Sequence, residues 1–300
     1  MARTAYHDHA TFDAIMHFWA RERPDGPAFD QAGRVTTYAE ADRLTRQLIA
    51  LLQTRGIVPG DRIAWLGKNR DIYFLLYIAA ARMGVVMVPI GWRLAPPEIG
   101  YILGDTEAKL IVADADFVAM AQHLAGDLSA RPAVIEAEEA RAEALGLDPA
   151  EYIPPAPHDP VLQLYTSGTT GNPKGAVLSN ANLLGLRNPG IAAGCDWHFY
   201  EPVDAMLVAM PCAHIGGTGL VNIAVSAGVR SIVQAEFSPV GVLEAIELGA
   251  THMFIVPAAL QMVVQHPRAA STDFRNLKWL MYGAAPMPLE LLKQAVRTMP

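Results

Sequence analysis

Between residues 161 and 175 an apolar run, VLQLYT, opens directly into SGTTGNPKG, and no other stretch limits the architecture of this chain so tightly. Residues 166–175 hold four hydroxyl side chains, three glycines and one lysine. Glycines let backbone N–H groups converge on an anion, hydroxyls add donors and a lysine adds a positive point charge, so a polyphosphate is the natural guest. A Walker-type loop requires G-x-x-x-x-G-K-[ST], whereas Lys174 here follows Pro173 and precedes Gly175. No helix covering the phosphates in the Walker manner is therefore predicted. The same composition also suits a mobile surface turn, and on these residues alone both readings stand.

Around this loop, helical and strand-like segments alternate. YAEADRLTRQLIALLQTRG (38–56) sets Leu44, Leu48, Leu51 and Leu52 at helical spacing and ends at Gly56. A further helix is predicted over 71–82. Apolar runs predict strands at DRIAWLG, VVMVPI, KLIVAD and RPAVIEA, and again at AMLVAM (205–210), RSIVQA (230–235), THMFIV (251–256) and LKWLMYG (277–283). Such runs suit strands with helices on both faces, which gives an α/β class. At 300 residues, 52% of them hydrophobic, the chain exceeds the usual single domain. EYIPPAPHDP (151–160), with four prolines, reads as a rigid connector between two αβ subdomains, 1–155 and 156–300. The acidic stretch 135–146 reads as a solvated helix face.

Charge and cysteine usage exclude other classes. A net charge of −7 carries no basic footprint, so nucleic acid is not expected as a partner. Cys195 and Cys212 lack metal-ligand spacing, and so few thiols point to a reducing, cytoplasmic setting. The opening MARTAYHDHATF has no apolar export signal. The greasiest stretch, 73–90, is broken by Arg82 and Gly84 and is shorter than the roughly 20 residues a spanning helix needs. It reads as a buried helix, a turn and a buried strand. A mean hydropathy of +0.20 is expected from a large core, with peripheral membrane contact the lesser reading. His7 and His9 flank Asp8 without a third ligand nearby, so no metal site is assigned. Cys195 and His198 read as loop or core, and Ser179 as an exposed serine after the loop without a nucleophile's G-x-S-x-G context.

The complete string YTSGTTGNPKG resembles, almost residue for residue, the signature of the adenylate-forming superfamily: acyl-CoA synthetases, aryl-CoA ligases, luciferases and the adenylation domains of peptide synthetases. Four further segments resemble family boxes in the family's order: TTYAEADRL (36–44), ARMGVVMVPIGWRL (81–94, with Arg82 near the usual lysine), PCAHIGG (211–217) and YGAAPMP (282–288). The resemblance implies two packed αβ subdomains of the family's N-terminal domain, layered sheets covered by helices, without the small C-terminal domain. The next family box, Y-G-x-T-E, with the glutamate associated with Mg²⁺, is expected beyond residue 300, as are the ribose-binding aspartate, the hinge and the catalytic lysine. The chain is accordingly expected to be an N-terminal portion, inactive alone.

That resemblance also implies roles. Thr166, Ser167, Gly168, Thr169, Thr170, Gly171 and Lys174 would clamp the β- and γ-phosphates of ATP, in a loop that moves during turnover. His214 would be the catalytic and substrate-binding residue at the carboxylate end of the acyl site, although an isolated histidine also reads as a core residue with one satisfied hydrogen bond. Ala213 replaces the family's phenylalanine, so the pattern names no particular acid. Gly216, Gly217 and Gly219 either open an acyl tunnel or permit close helix packing. Gly283, Ala284, Ala285 and Pro286 would pass along the adenine ring and the acyl floor, or form an ordinary αβ connection. The implied activity is ATP-dependent activation of a carboxylic acid followed by transfer to coenzyme A. The alternatives are an adenylation domain loading a carrier protein and a non-catalytic nucleotide- or acyl-binding module. ATP, Mg²⁺, coenzyme A and a carboxylic acid are the expected small-molecule partners, and a homodimer is compatible with the sequence.

Overall fold

The computed structural model describes residues 9–166 and 171–299. The chain begins with α1 (Phe12–Glu22), the hairpin β1 (Pro27–Gln31) and β2 (Arg34–Thr37), and α2 (Tyr38–Thr54). Thr37 and Glu40 start α2 with a reciprocal capping box, and Gly56 just beyond it takes a left-handed φ of +72°. There follow β3 (Arg62–Leu66), α3 (Asp71–Met83), β4 (Val86–Ile90), α4 (Pro96–Thr106), β5 (Leu110–Ala113), α5 (Val118–Asp127), β6 (Ala133–Glu136) and α6 (Ala137–Leu145). After the proline-rich connector come β7 (Pro160–Thr166), β8 (Lys174–Ser179) and two short helices, α7 (Asn180–Leu184) and α8 (Asn188–Ala192). The remainder runs β9 (Ala205–Val208), α9 (Ile215–Ala227), β10 (Arg230–Val233), α10 (Pro239–Glu247), β11 (His252–Ile255), α11 (Pro257–Val264), β12 (Trp279–Tyr282) and α12 (Leu289–Thr298).

The strands form two six-stranded sheets, ordered β6-β5-β3-β4-β7-β8 and β12-β11-β9-β10-β1-β2. In each, only the last-named edge strand runs antiparallel to its neighbour. Sheet membership cuts across the expected halves 1–155 and 156–300. Strands β7 and β8 extend the sheet built from residues 62–136, and β1 pairs in parallel with β10, Phe29 against Ser231. Burial accompanies this pairing: β1 supplies Ala28 and Phe29, both fully buried in the cluster between the two sheets.

Three apolar clusters divide the molecule into layers. Along β3, Ile63 and Trp65 face the central cluster while Ala64 and Leu66 face outward, the alternation that a strand covered on both sides requires. The central cluster holds α3 and much of α1, α2 and α9 between the two sheets. Helices α4 and α5 cover one outer face, and α10, α11 and α12 the other. Helix α3 is buried at every position from Asp71 to Met83, so the apolar run between Asp71 and Arg82 follows from its central place. Among the described residues no helix is long and apolar enough to cross a membrane.

Candidate functional site

Parallel strands bring their carboxyl ends to one rim of a sheet, where α/β folds gather ligands. On the first sheet that rim carries the residues after β3, β4 and β7. Strand β7 does not lead into a helix; it turns back as β8, with Thr166 and Lys174 as cross-strand partners. The glycine-rich segment is thus the tip of a β-hairpin, in agreement with the exclusion of a Walker-type helix. Ser167, Gly168, Thr169 and Thr170 lie outside the described residues. Thr166 and Lys174 flank them, both exposed, and Gly171 takes a φ of +124° that an L side chain rarely adopts.

The base of the hairpin is fastened from below. Tyr165 donates its hydroxyl to Asp105 of α4 and accepts from Gln163 Nε2 at 2.9 Å, and Gln163 Oε1 in turn accepts from Arg62 Nε at 2.9 Å. Burial and the neighbouring Asp105 carboxylate push the Tyr165 phenol far above its ordinary range, so it stays a donor. Gly175 lies across from Tyr165, and a Cβ there would stand 2.3 Å from Gln163 Nε2 and 3.0 Å from Tyr165 Cζ.

On the second sheet, β9 ends in the loop 209–214, which leads into α9. His214 is the N-cap residue of α9, exposed, with an extended backbone and an imidazole that makes no capping hydrogen bond. The core-histidine reading is therefore set aside. Its carbonyl accepts from Gly217 N at 2.9 Å and Thr218 N at 3.2 Å. Cys212 is buried, and burial pushes its thiol well above the usual range, which removes it as a nucleophile.

The three helical glycines separate on inspection. A Cβ at Gly217 would lie 2.3 Å from the Pro211 carbonyl oxygen and 2.5 Å from that of Met210, so only glycine lets α9 start against its own loop. At Gly216 it would stand 3.1 Å from the Phe254 ring, and at Gly219 it would make only ordinary contact with Ile215 at 3.5 Å. Close packing therefore accounts for Gly217. After β12, Gly283 packs on the same Phe254 ring, while Ala284, Ala285 and Pro286 are exposed. Ala284 holds a left-handed φ of +64°, which costs a non-glycine residue about 1–2 kcal/mol. Phe254 thus gathers the first turn of α9 and the turn after β12 around one ring.

The two rims meet. Asn69, just after β3, donates Nδ2 to the Met210 carbonyl at 2.9 Å and accepts the Cys212 N–H on Oδ1 at 2.7 Å. Gly91, just after β4, faces Ala213, with an added Cβ 4.0 Å from that of the alanine. A cleft of about 190 Å³ opens at this junction, lined by Asn69, Trp92, Arg93, Met210, Phe237 and Val256. At its edge Glu236 pairs with Lys68 at 3.1 Å and Arg93 at 3.3 Å, and Arg93 lies over the Trp92 ring. Strand β7, which leads into the glycine-rich segment, lies two strands along the first sheet from β3.

Sequence reasoning missed Asn69 and Phe254. Asn69 sits in GKNRD, which carries no motif, and Phe254 reads only as one more apolar strand residue. Ser179, expected to be exposed, is buried as the N-cap of α7, where its hydroxyl caps Asn182. His198 is buried beside Trp197, and Cys195 is half-buried. His7 lies outside the described residues. Among the described residues no three His, Cys, Asp or Glu side chains are grouped to hold a metal ion, so no Mg²⁺ ligand is assigned.

With this geometry in view, the family profile described as AMP-binding enzyme matches residues 16–300. The chain is 33% identical over 287 residues to the fatty acid–[acyl-carrier-protein] ligase ScoC of Streptomyces coeruleorubidus, covering 93% of this chain and 54% of that protein. It is 33% identical over 274 residues to a feruloyl-CoA synthase of Amycolatopsis sp, covering 91% and 54%. An inhibitor-bound N-terminal domain of FACL13 from Mycobacterium tuberculosis superposes with a TM-score of 0.84 at 26% identity, covering 96% of this chain and 73% of that one. The chain spans about half the length of the curated relatives it matches.

Proposed function

The chain belongs to the AMP-binding enzyme family, and from that premise we propose that it supplies the ATP- and acid-binding part of an AMP-forming acid–thiol ligase. In the first half-reaction a carboxylate oxygen attacks the α-phosphorus of ATP. The bond to the β-phosphate breaks and pyrophosphate leaves with the negative charge. In the second, a thiol sulfur attacks the acyl carbon and AMP departs.

The observation that supports this reading is the meeting of the two rims, where Asn69 of the sheet that carries the hairpin bonds the loop that leads to His214. Donors placed around the departing pyrophosphate stabilise the charge that develops there. Thr166, Ser167, Gly168, Thr169, Thr170, Gly171 and Lys174 take that role. His214 serves the carboxylate end of the acid, and Gly283, Ala284, Ala285 and Pro286 give the adenine ring a surface with small side chains. The names of the two relatives point to different thiols, a carrier protein and coenzyme A.

The test is calorimetric titration of the 300-residue chain with ATP, repeated on Lys174→Ala, together with ATP–pyrophosphate exchange by a chain extended through the family's C-terminal domain, in the presence of dodecanoate and of ferulate. We expect ATP to bind, and Lys174→Ala to weaken it by about tenfold, the loss of one charge-assisted contact. ATP binding that ignores Lys174, or no acid-dependent exchange by the extended chain with either probe, would sink the assignment.

A further inference from the structure

The loop 209–214 has no ladder of its own, yet it must hold His214 at a fixed place relative to a hairpin on the other sheet. What holds it is a set of buried side chains. Asn69 is 2% exposed, and every one of its four polar groups reaches across to the second sheet. Its backbone N–H bonds the Ala235 carbonyl after β10 at 2.9 Å, and its carbonyl accepts from Gln31 at the end of β1 at 3.3 Å. Its side-chain amide reads the Met210 carbonyl and the Cys212 N–H as a neighbouring strand would. From the other side Thr218 Oγ1 donates to the Cys212 carbonyl at 2.7 Å and meets the Tyr73 hydroxyl at 2.9 Å.

Asn69 itself follows β3, in the sheet that carries the phosphate hairpin. Building on the function proposed above, we infer that Asn69 is a positioning residue: it sets the register between the two rims, so that the acid held near His214 meets the α-phosphate of an ATP held by the hairpin. A displacement of the order of 1 Å between reacting groups is enough to slow a reaction by about a hundredfold, so a joint of this kind acts on the rate. The chemistry is specific to an amide of this length. Aspartate keeps the acceptor for Cys212 N–H but turns an oxygen toward the Met210 carbonyl, glutamine is a methylene too long, and alanine leaves both loop groups buried without a partner.

The experiment compares the parent chain with Asn69→Ala and Asn69→Asp by amide hydrogen exchange and by the ¹H–¹³C NMR line of the His214 imidazole. In Asn69→Ala, amides of residues 212–217 should exchange at least about tenfold faster while those of β5, residues 110–113, change by less than about twofold. The His214 line should shift, and Asn69→Asp should recover protection at Cys212 alone. Equal acceleration in 212–217 and 110–113 would make Asn69 an ordinary stabilising residue, and unchanged exchange at 212–217 would remove the joint; either result overturns the inference. On the kinetic side, in the chain extended through the C-terminal domain, Asn69→Ala should lower ATP–pyrophosphate exchange with ATP affinity held within about threefold, the split expected when orientation is lost and binding is not. A parent chain that fails to bind ATP would count against the proposed function, and the ligand-free exchange pattern would still judge the joint.

Discussion

Gly283 and Phe254 stand edge to edge: a Cβ at position 283 would lie 3.2 Å from Cε2 of the phenylalanine ring. Gly216 approaches Cε1 of the same ring, at 3.1 Å for an added Cβ. The ring is held between the turn after β12 and the first turn of α9, so extra volume on either side must displace it. Gly283→Ala should therefore destabilise the protein by about 1–3 kcal/mol, the usual range for overpacking. Phe254→Leu in the same chain should restore more than half of that loss. Urea unfolding of the single and double variants measures both, and a double variant no better than Gly283→Ala would show that the ring is not the obstacle.

Arg82 carries a different expectation. It is fully buried, with its guanidinium on Asp13 at 3.1 Å, Asp42 at 2.8 Å, Thr45 at 2.6 Å and the Tyr152 hydroxyl at 2.9 Å. Its charge ties α1, α2 and the stretch before β7 to α3. Removing it leaves two carboxylates facing the interior, so Arg82→Ala should cost about 3–5 kcal/mol. Arg82→Lys should fail to rescue because an ammonium cannot reproduce the planar fork. Thermal unfolding reads the loss. Selective loss of ATP binding at unchanged stability would instead give Arg82 a part in the site.

How much of this was legible depends on what each residue shows on its own. VVMVPI and KLIVAD announce buried strands because nothing but burial explains four or more consecutive apolar side chains. The hairpin β1–β2 does not: PAFDQ and RVTT are half polar, and the turn is Ala32-Gly33, both at positive φ, where asparagine would have signalled it. Strand β8 is hidden in the same way by its glycine, alanine and lysine. The phosphate segment and His214 were legible as a string of residue types. The joint between the rims was not, because an asparagine beside a strand becomes informative only when its four partners, as distant in sequence as Ala235, are brought to it.

His252 gives a pH dependence. It is buried at the start of β11, with Nδ1 2.7 Å from Thr251 Oγ1 and its ring against Tyr200. Burial lowers its pKa to about 4, outweighing Asp204, which favours the charged form, and Lys278 adds to the lowering. The unfolded chain takes up this proton near pH 6.5 and the folded one only near 4, so stability is fully present above pH 6.5. It falls as the pH drops toward about 4, with a slope of up to about 1.4 kcal/mol per unit from this one group. His252→Gln should flatten the curve between those values. Chemical denaturation of both proteins across pH 4 to 7 decides it, and parallel curves would show that His252 does not titrate with folding.

The last expectation concerns the base of the hairpin. Its tip is the proposed phosphate clamp, and the strands that lead to it are fastened by residues that touch no phosphate. Gln163, Tyr165 and Asp105 form a chain of hydrogen bonds under Gly175, and a side chain at 175 would enter the space of Gln163 Nε2. Gly175→Val must therefore expel the Gln163 amide, which leaves Arg62 and the Tyr165 hydroxyl each without one partner. Tyr165→Phe removes the bond to Asp105 while leaving the glycine in place. If the hairpin base sets the direction of the tip, both variants should weaken ATP binding by about tenfold, and neither should change the exchange protection of β11 on the other sheet by more than about twofold. Calorimetry with ATP and amide exchange on the same samples separate the two effects. ATP affinity that survives Tyr165→Phe intact would mean that the tip orients itself, and the bond to Asp105 would then serve only the stability of the first sheet.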